Sequence, residues 1–149
     1  MSDAPGAAPG TVLQGGRRKA YRPMSPEERD EAFARGVAAY ERGDFFEAHE
    51  HLEPAWMGTA DPAERNLHQG LIKLAAAFVH AVRGNPAGVA KNLQGARERL
   101  ADALVDDVED RGLDLREILG DIDVRLADLT ASPTPLRVDQ VPLHRRRNP

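Results

Sequence analysis

Between Asp44 and Trp56 the chain reads D-F-F-E-A-H-E-H-L-E-P-A-W, with three glutamates and two histidines ahead of its only tryptophan. At 100° per residue, Phe45, His49, Leu52 and Trp56 fall on one side of a helix. Glu53 lies one turn beyond His49, with Glu50 beside it, and His51 points away toward solvent. Three chemistries fit this set. His49 and Glu53 could bind a divalent metal, with Glu50 as the general base of a hydrolase, since H-E-x-x-E echoes the H-E-x-x-H helix of zinc enzymes. Two ligands on one helix still need a third from elsewhere. Alternatively, the carboxylates form a recognition surface for a cationic or hydrogen-bonding partner. Third, His49 bonded to a carboxylate is a polar seam that fixes how two helices pack. Pro54, inside the helix, cannot donate to the Glu50 carbonyl and leaves that acceptor free.

The neighbouring helix must complete any such site. With helices two and three antiparallel about a turn near 59–60, residues whose numbers sum to about 119 lie level. Gln69 then faces Glu50, and Lys73 faces Phe46. Gln69 is a hydrogen-bond partner for a half-buried carboxylate rather than a metal ligand. His80, roughly 16 Å further along the axis, falls outside the primary site.

Helix punctuation from Ser25 onward is regular. S-P-E-E (25–28) supplies a cap, a proline at the first helical position and a glutamate at the third. D-F-F-E (44–47), D-P-A-E (61–64) and D-L-R-E (114–117) repeat that logic, and Asn85-Pro86 is a weaker version. Arg42-Gly43, Arg83-Gly84 and Arg111-Gly112 put a cation before a glycine that tolerates a helix exit. Five helices are predicted, at about 26–42, 45–57, 62–83, 86–108 and 115–129. Apolar stripes agree, running Leu67, Leu71, Leu74, Phe78 and Val82 in the third and Val89, Leu93, Ala96, Leu100 and Leu104 in the fourth. No alternating run looks like a strand. The expectation is an all-α five-helix bundle of two antiparallel, tetratricopeptide-like hairpins plus a C-terminal helix. A basic arm without regular structure (1–24) precedes the helical domain (25–130), and an extended basic tail (131–149) follows it.

A shift of 41 residues overlays R-G-D-F-F-E-A-H-E-H-L-E-P-A on R-G-N-P-A-G-V-A-K-N-L-Q-G-A. Turn and packing positions match, whereas His49 and Glu50 meet Ala90 and Lys91. The scaffold alone therefore does not require them.

The 149 residues suffice for one domain with a real core, and 41% hydrophobic with 30% charged content suits a globular chain. The absence of cysteine removes disulfides and thiolate metal sites. No apolar run reaches the roughly 20 residues that cross a bilayer, and no signal-type segment opens the chain, so a cytoplasmic protein without a membrane role is expected. Residues 25–130 hold 12 Lys and Arg against 22 Asp and Glu, while the two ends hold 8 against 2. An acidic body repels nucleic acid. The basic ends could bind a polyanion or lie across that body. The protein or small-molecule partner stays open, as does a homo-oligomer.

The motifs G-D-F-F-E-A-H-E-H-L-E-P-A-W, H-Q-G-L-I-K-L-A-A-A-F-V-H and R-G-N-P-A-G, in that order, resemble the bacterial domain-of-unknown-function family 309 over roughly residues 30–130. The resemblance implies a compact helical bundle. Its signature maps to His49, Glu50, Leu52, Glu53, Trp56, Gln69, Gly70, His80, Gly84 and Asn85, and it brings no activity or cofactor with it. Lys73 stands where a more neutral polar residue is expected, which disfavours a bound cation nearby. The leading expectation is a helical binding or scaffold module using His49, Glu50, Glu53, Gln69 and Lys73. The alternatives are the metal-dependent hydrolase, with a divalent metal on His49 and Glu53, and polyanion binding by the tails.

Overall fold

The computed structural model describes residues 11–14, 17–20, 23–131 and 138–147. Five helices follow the predicted order: Pro26–Glu41 (α1), Phe45–Met57 (α2), Pro62–Val82 (α3), Pro86–Val105 (α4) and Leu115–Ala131 (α5). Short connections between α1 and α4 make consecutive helices antiparallel neighbours, and α3 with α4 shares the most extensive interface. The fold is an all-α bundle.

Local chemistry explains most helix ends. Ser25 and Glu28 close a reciprocal box, Glu28 N donating to Ser25 Oγ at 3.1 Å and Ser25 N to Glu28 Oε1 at 3.0 Å. Asn85 Oδ1 accepts from Gly88 N at 3.2 Å, and Asp114 Oδ1 from Glu117 N at 3.1 Å. Asp44 and Asp61 occupy N-cap positions without a side-chain cap bond, so those two starts rest on the backbone and, at α3, on Pro62. Gly43 and Gly84 leave their helices at φ 84° and 69°, as the arginine–glycine pairs predict. Arg111-Gly112 differs. Helix α4 stops at Val105, and this pair lies in the connection to α5 instead.

The core runs through every helix: Phe33, Val37 and Tyr40 from α1, Leu52 from α2, Leu67 to Phe78 from α3, Val89 to Leu100 from α4, and Ile118 and Ile122 from α5. Val82, expected in the α3 stripe, is 80% exposed because the helix ends there. Trp56 is buried apart from this core, with Met57 against Ile72, and the Arg65 guanidinium stands 5.2 Å from its ring centroid.

Two segments outside the bundle depart from the sequence expectation. Thr11–Gln14 (β1) pairs antiparallel with Arg17–Ala20 (β2), Thr11 opposite Ala20 and Gln14 opposite Arg17. The arm thus carries regular structure at 11–14 and 17–20. The rest of the expected arm, 1–10 and 21–22, lies outside the described residues, as do 132–137 and 148–149 of the tail. Residues 138–147 form no helix, and they dock onto the bundle. Val141 and Leu143 are buried, and the backbone of residues 144–146 pairs with that of 112–114.

Candidate functional site

Helix α2 buries Ala48, Leu52, Ala55 and Trp56 and turns its titratable side chains outward. Gly36 of α1 permits the close approach, since a Cβ there would lie 2.5 Å from Leu52 Cγ. On the outer side two i,i+4 pairs form: His49 Nε2 lies 3.1 Å from Glu53 Oε2, and His51 Nε2 lies 3.4 Å from Glu47 Oε1. Glu47 also pairs with Arg42. His51 is thus half-buried and engaged rather than freely solvated. Glu50 is exposed, and Phe46, 66% exposed, packs its ring 6.4 Å from that of His49. Among the described residues no three histidine and acidic side chains gather closely enough to hold a metal ion.

The polar centre of the molecule lies one helix away. Glu64 of α3 receives three nitrogens on one oxygen: Arg111 Nη2 at 2.7 Å, Arg29 Nε at 3.0 Å and His68 Nε2 at 3.3 Å. His68 is fully buried, with its ring edge-on to Phe33 at 5.8 Å. The Arg111 guanidinium lies 5.1 Å from the same Phe33 ring and gives its Nε to Asp30 at 2.8 Å. The His68 bond, helped by Arg111 and Arg29 and opposed by burial, holds the Glu64 carboxyl at about 2. Burial pushes the His68 imidazole below its ordinary value against the pull of Glu64. Burial also weakens the Arg111 charge, but its bonds to Asp30 and Glu64 outweigh that effect and raise it. An ionised Glu64 only accepts, which assigns the His68 hydrogen to Nε2 and leaves Nδ1 as an acceptor. That Nδ1 and Arg111 Nη1 are both buried without a hydrogen-bond partner among the described residues.

A family model described as "Domain of unknown function (DUF309)" covers this arrangement in part. Residues 33–92 match DUF309. No curated protein and no solved structure matches the chain. The DUF309 segment runs from α1 into α4, which is shorter than the 30–130 span read from the motifs, and α5 falls outside it. It contains the α2 face, Glu64 and His68, but neither Arg29 nor Arg111. Other signature residues within the DUF309 segment do packing work. A Cβ on Gly70 would meet Leu100 Cδ2 at 2.6 Å, so this glycine lets α4 close on α3. His80 leans over Gly88 and its Nδ1 accepts from Asn85 Nδ2 at 3.1 Å, which places it at the α3–α4 turn. Lys73 lies against Gly95 of α4, a Cβ on which would meet Lys73 Cδ at 2.8 Å; the antiparallel register had set it opposite Phe46. Its helix face turns toward α4 rather than α2.

The signal for the buried centre was local and short. Glu64 and His68 stand four residues apart next to the Leu67–Leu71 stripe, so they share a helix face. Arg29 and Arg111 arrive from 35 and 47 residues away, and no spacing in the chain announces them.

Proposed function

We propose that the protein is a small helical binding or scaffold module whose contact surface is the outer face of α2. Phe46, His49, Glu50 and Glu53 follow the i, i+3, i+4, i+7 spacing of one helix face. The observation that carries the reading is Phe46, 66% exposed with its ring tilted at 42° beside that of His49. An aromatic side chain left in water next to a carboxylate pair suits a partner with an apolar contact and a cationic group. Gln69 is half-buried on α3, and Lys73 leans toward α4. Affinity capture with the wild type, Phe46→Ala and Glu50→Ala as baits tests the reading. A partner held by the wild type is lost by tenfold or more in both variants, with Tm nearly unchanged because both side chains are exposed. Equal capture by all three baits, or a large drop in Tm with capture retained, removes the proposal.

The hydrolase alternative draws on the His49–Glu53 separation of 3.1 Å, which suits two ligands of one divalent ion. Elemental analysis decides it: stoichiometric zinc or manganese supports it, and protein that ignores both ions sinks it. Polyanion binding by the tails competes with contacts already made, since His144, Arg145 and Arg146 pair with Asp121, Glu41 and Asp110. A cytoplasmic setting and tetratricopeptide-like stacking belong to the same proposal and rest on sequence pattern.

A further inference from the structure

Away from α2, a cavity of about 540 Å³ opens between α1, the 106–114 connection and the docked tail. That is the size of a small-molecule site, which spans roughly 300–1,000 Å³. Its apolar wall comes from Phe33, Val37 and Leu113, all buried. Ala34 and Ala38, one turn apart and exposed, keep the mouth wide because neither side chain fills it.

The charges around it are unequal. Arg111 is committed to Asp30 and Glu64, and Arg145 to Glu41 at 3.2 Å. Glu109 is exposed and makes no ion pair among the described residues; its Oε2 accepts only the Arg111 backbone N–H, at 3.0 Å. The two guanidiniums are thus neutralised, and Glu109 leaves one negative charge beside an apolar pocket. An anion entering it would face Asp30, Glu41 and Glu109 together. The wall is held in place at some cost: Asp107 and Arg111 are non-glycine residues at φ 56° and 52°. Such backbone persists where surrounding contacts over-determine it, as the Arg111 side chain does here.

We propose that this cavity binds a small organic monocation, an apolar chain or ring bearing one protonated amine, with the ammonium on Glu109. The apolar part lies along Phe33, Val37 and Leu113, and the ammonium makes a charge-assisted hydrogen bond with the Glu109 carboxylate.

Titration of isotope-labelled full-length protein with hexylammonium, hexanoate and hexanol, read by amide chemical shifts, tests the site. Hexylammonium should give saturable shifts at Ala34, Ala38, Glu109 and Leu113, with hexanoate and hexanol at least about tenfold weaker. Glu109→Gln keeps an oxygen for the Arg111 amide but removes the charge, and should erase the preference for the amine over the alcohol. Ala38→Phe should fill the mouth and abolish binding, while its exposed position leaves Tm unchanged. The proposal is overturned by shifts that do not saturate or that map elsewhere. Equal affinity for hexanoate, full preference retained in Glu109→Gln, or binding that survives in a folded Ala38→Phe variant would overturn it too.

Discussion

At Glu64 one carboxylate oxygen accepts from Arg29, Arg111 and His68, so this point keeps its charge into acid more tenaciously than ordinary surface carboxylates, and folding stability depends on it there. The two folded-state shifts have the same sign for stability. His68 is depressed below 6.5 by burial, so between its folded value and 6.5 the unfolded chain binds the extra proton and stability falls as pH drops. Glu64 is depressed to about 2 from 4.5, so a second loss follows as pH falls from 4.5 toward 2. Urea midpoints measured from pH 7.5 to 2.5 should therefore decline in two legs. His68→Gln, which keeps a donor for Glu64 but does not titrate, should flatten the upper leg alone. An unchanged upper leg in that variant would assign it to another group. Glu64→Gln should cost about 3 kcal/mol or more at pH 7, since it strips the shared counter-charge from two arginines. Sequence spacing reached the His49–Glu53 pair on α2 because it is local, but it left His51 in solvent and missed its pair with Glu47. It passed over Glu64 because a carboxylate four residues from a histidine looks the same whether buried or solvated, and its two arginines come from distant segments.

Helices were the most legible level, and the reason is that their signals are short-range. Ser25-Pro26 and the Gly43 and Gly84 exits act within one turn, so the ends of α1 and α3 match their sequence reading within a residue. Helix α4 was read too long because Val105 to Val108 continues the apolar pattern, whereas the backbone turns at Asp106 and is left-handed at Asp107. Pairing between helices was less legible. The register about residue 59 placed Lys73 toward α2, but glycines decide which faces meet, and Gly70 and Gly95 draw α3 onto α4. The same contacts predict the outcome of adding one carbon. Gly36→Ala and Gly70→Ala put a Cβ 2.5 Å from Leu52 Cγ and 2.6 Å from Leu100 Cδ2, and each should lower stability by about 1–3 kcal/mol. For the second, Leu100→Ala in the Gly70→Ala background should cost less than in the wild type, because the side chain it removes is the one in conflict. Strict additivity in that double-mutant cycle would mean the helices separate rather than press on one another.

For the whole molecule, the charge imbalance between body and ends finds its physical form in the docked tail. The sequence reading left two roles for the basic ends, reaching for a polyanion or lying across the acidic body, and residues 138–147 take the second. His144 reaches Asp121 at 2.5 Å, Arg145 reaches Glu41, and Arg146 reaches Asp110 at 2.9 Å. Those pairs are part-exposed and contribute little on their own. The larger contribution comes from what a reading of prolines and arginines overlooked: Val141 and Leu143 are buried. Tyr40 Oη donates to the Val141 carbonyl at 2.7 Å, and Gln140 Nε2 donates back to the Tyr40 carbonyl at 2.7 Å. Burial drives the Tyr40 phenol far above its ordinary range, so it stays a donor throughout the accessible pH range. A solvated tail could be removed without effect, whereas this one closes the α1 and α5 side of the core. Ending the chain at residue 137 should therefore lower stability by about 3 kcal/mol or more, the scale of uncovering two aliphatic side chains. Tyr40→Phe in the full chain should reproduce only the hydrogen-bond share, about 1 kcal/mol. Hydrogen exchange gives an independent readout. The Asp114 amide, bonded to the His144 carbonyl at 2.8 Å, should lose protection in the truncated protein, while amides in the α3–α4 interface keep theirs. A truncated chain with unchanged urea midpoint and unchanged Asp114 protection would mean the tail rests on the bundle without holding it.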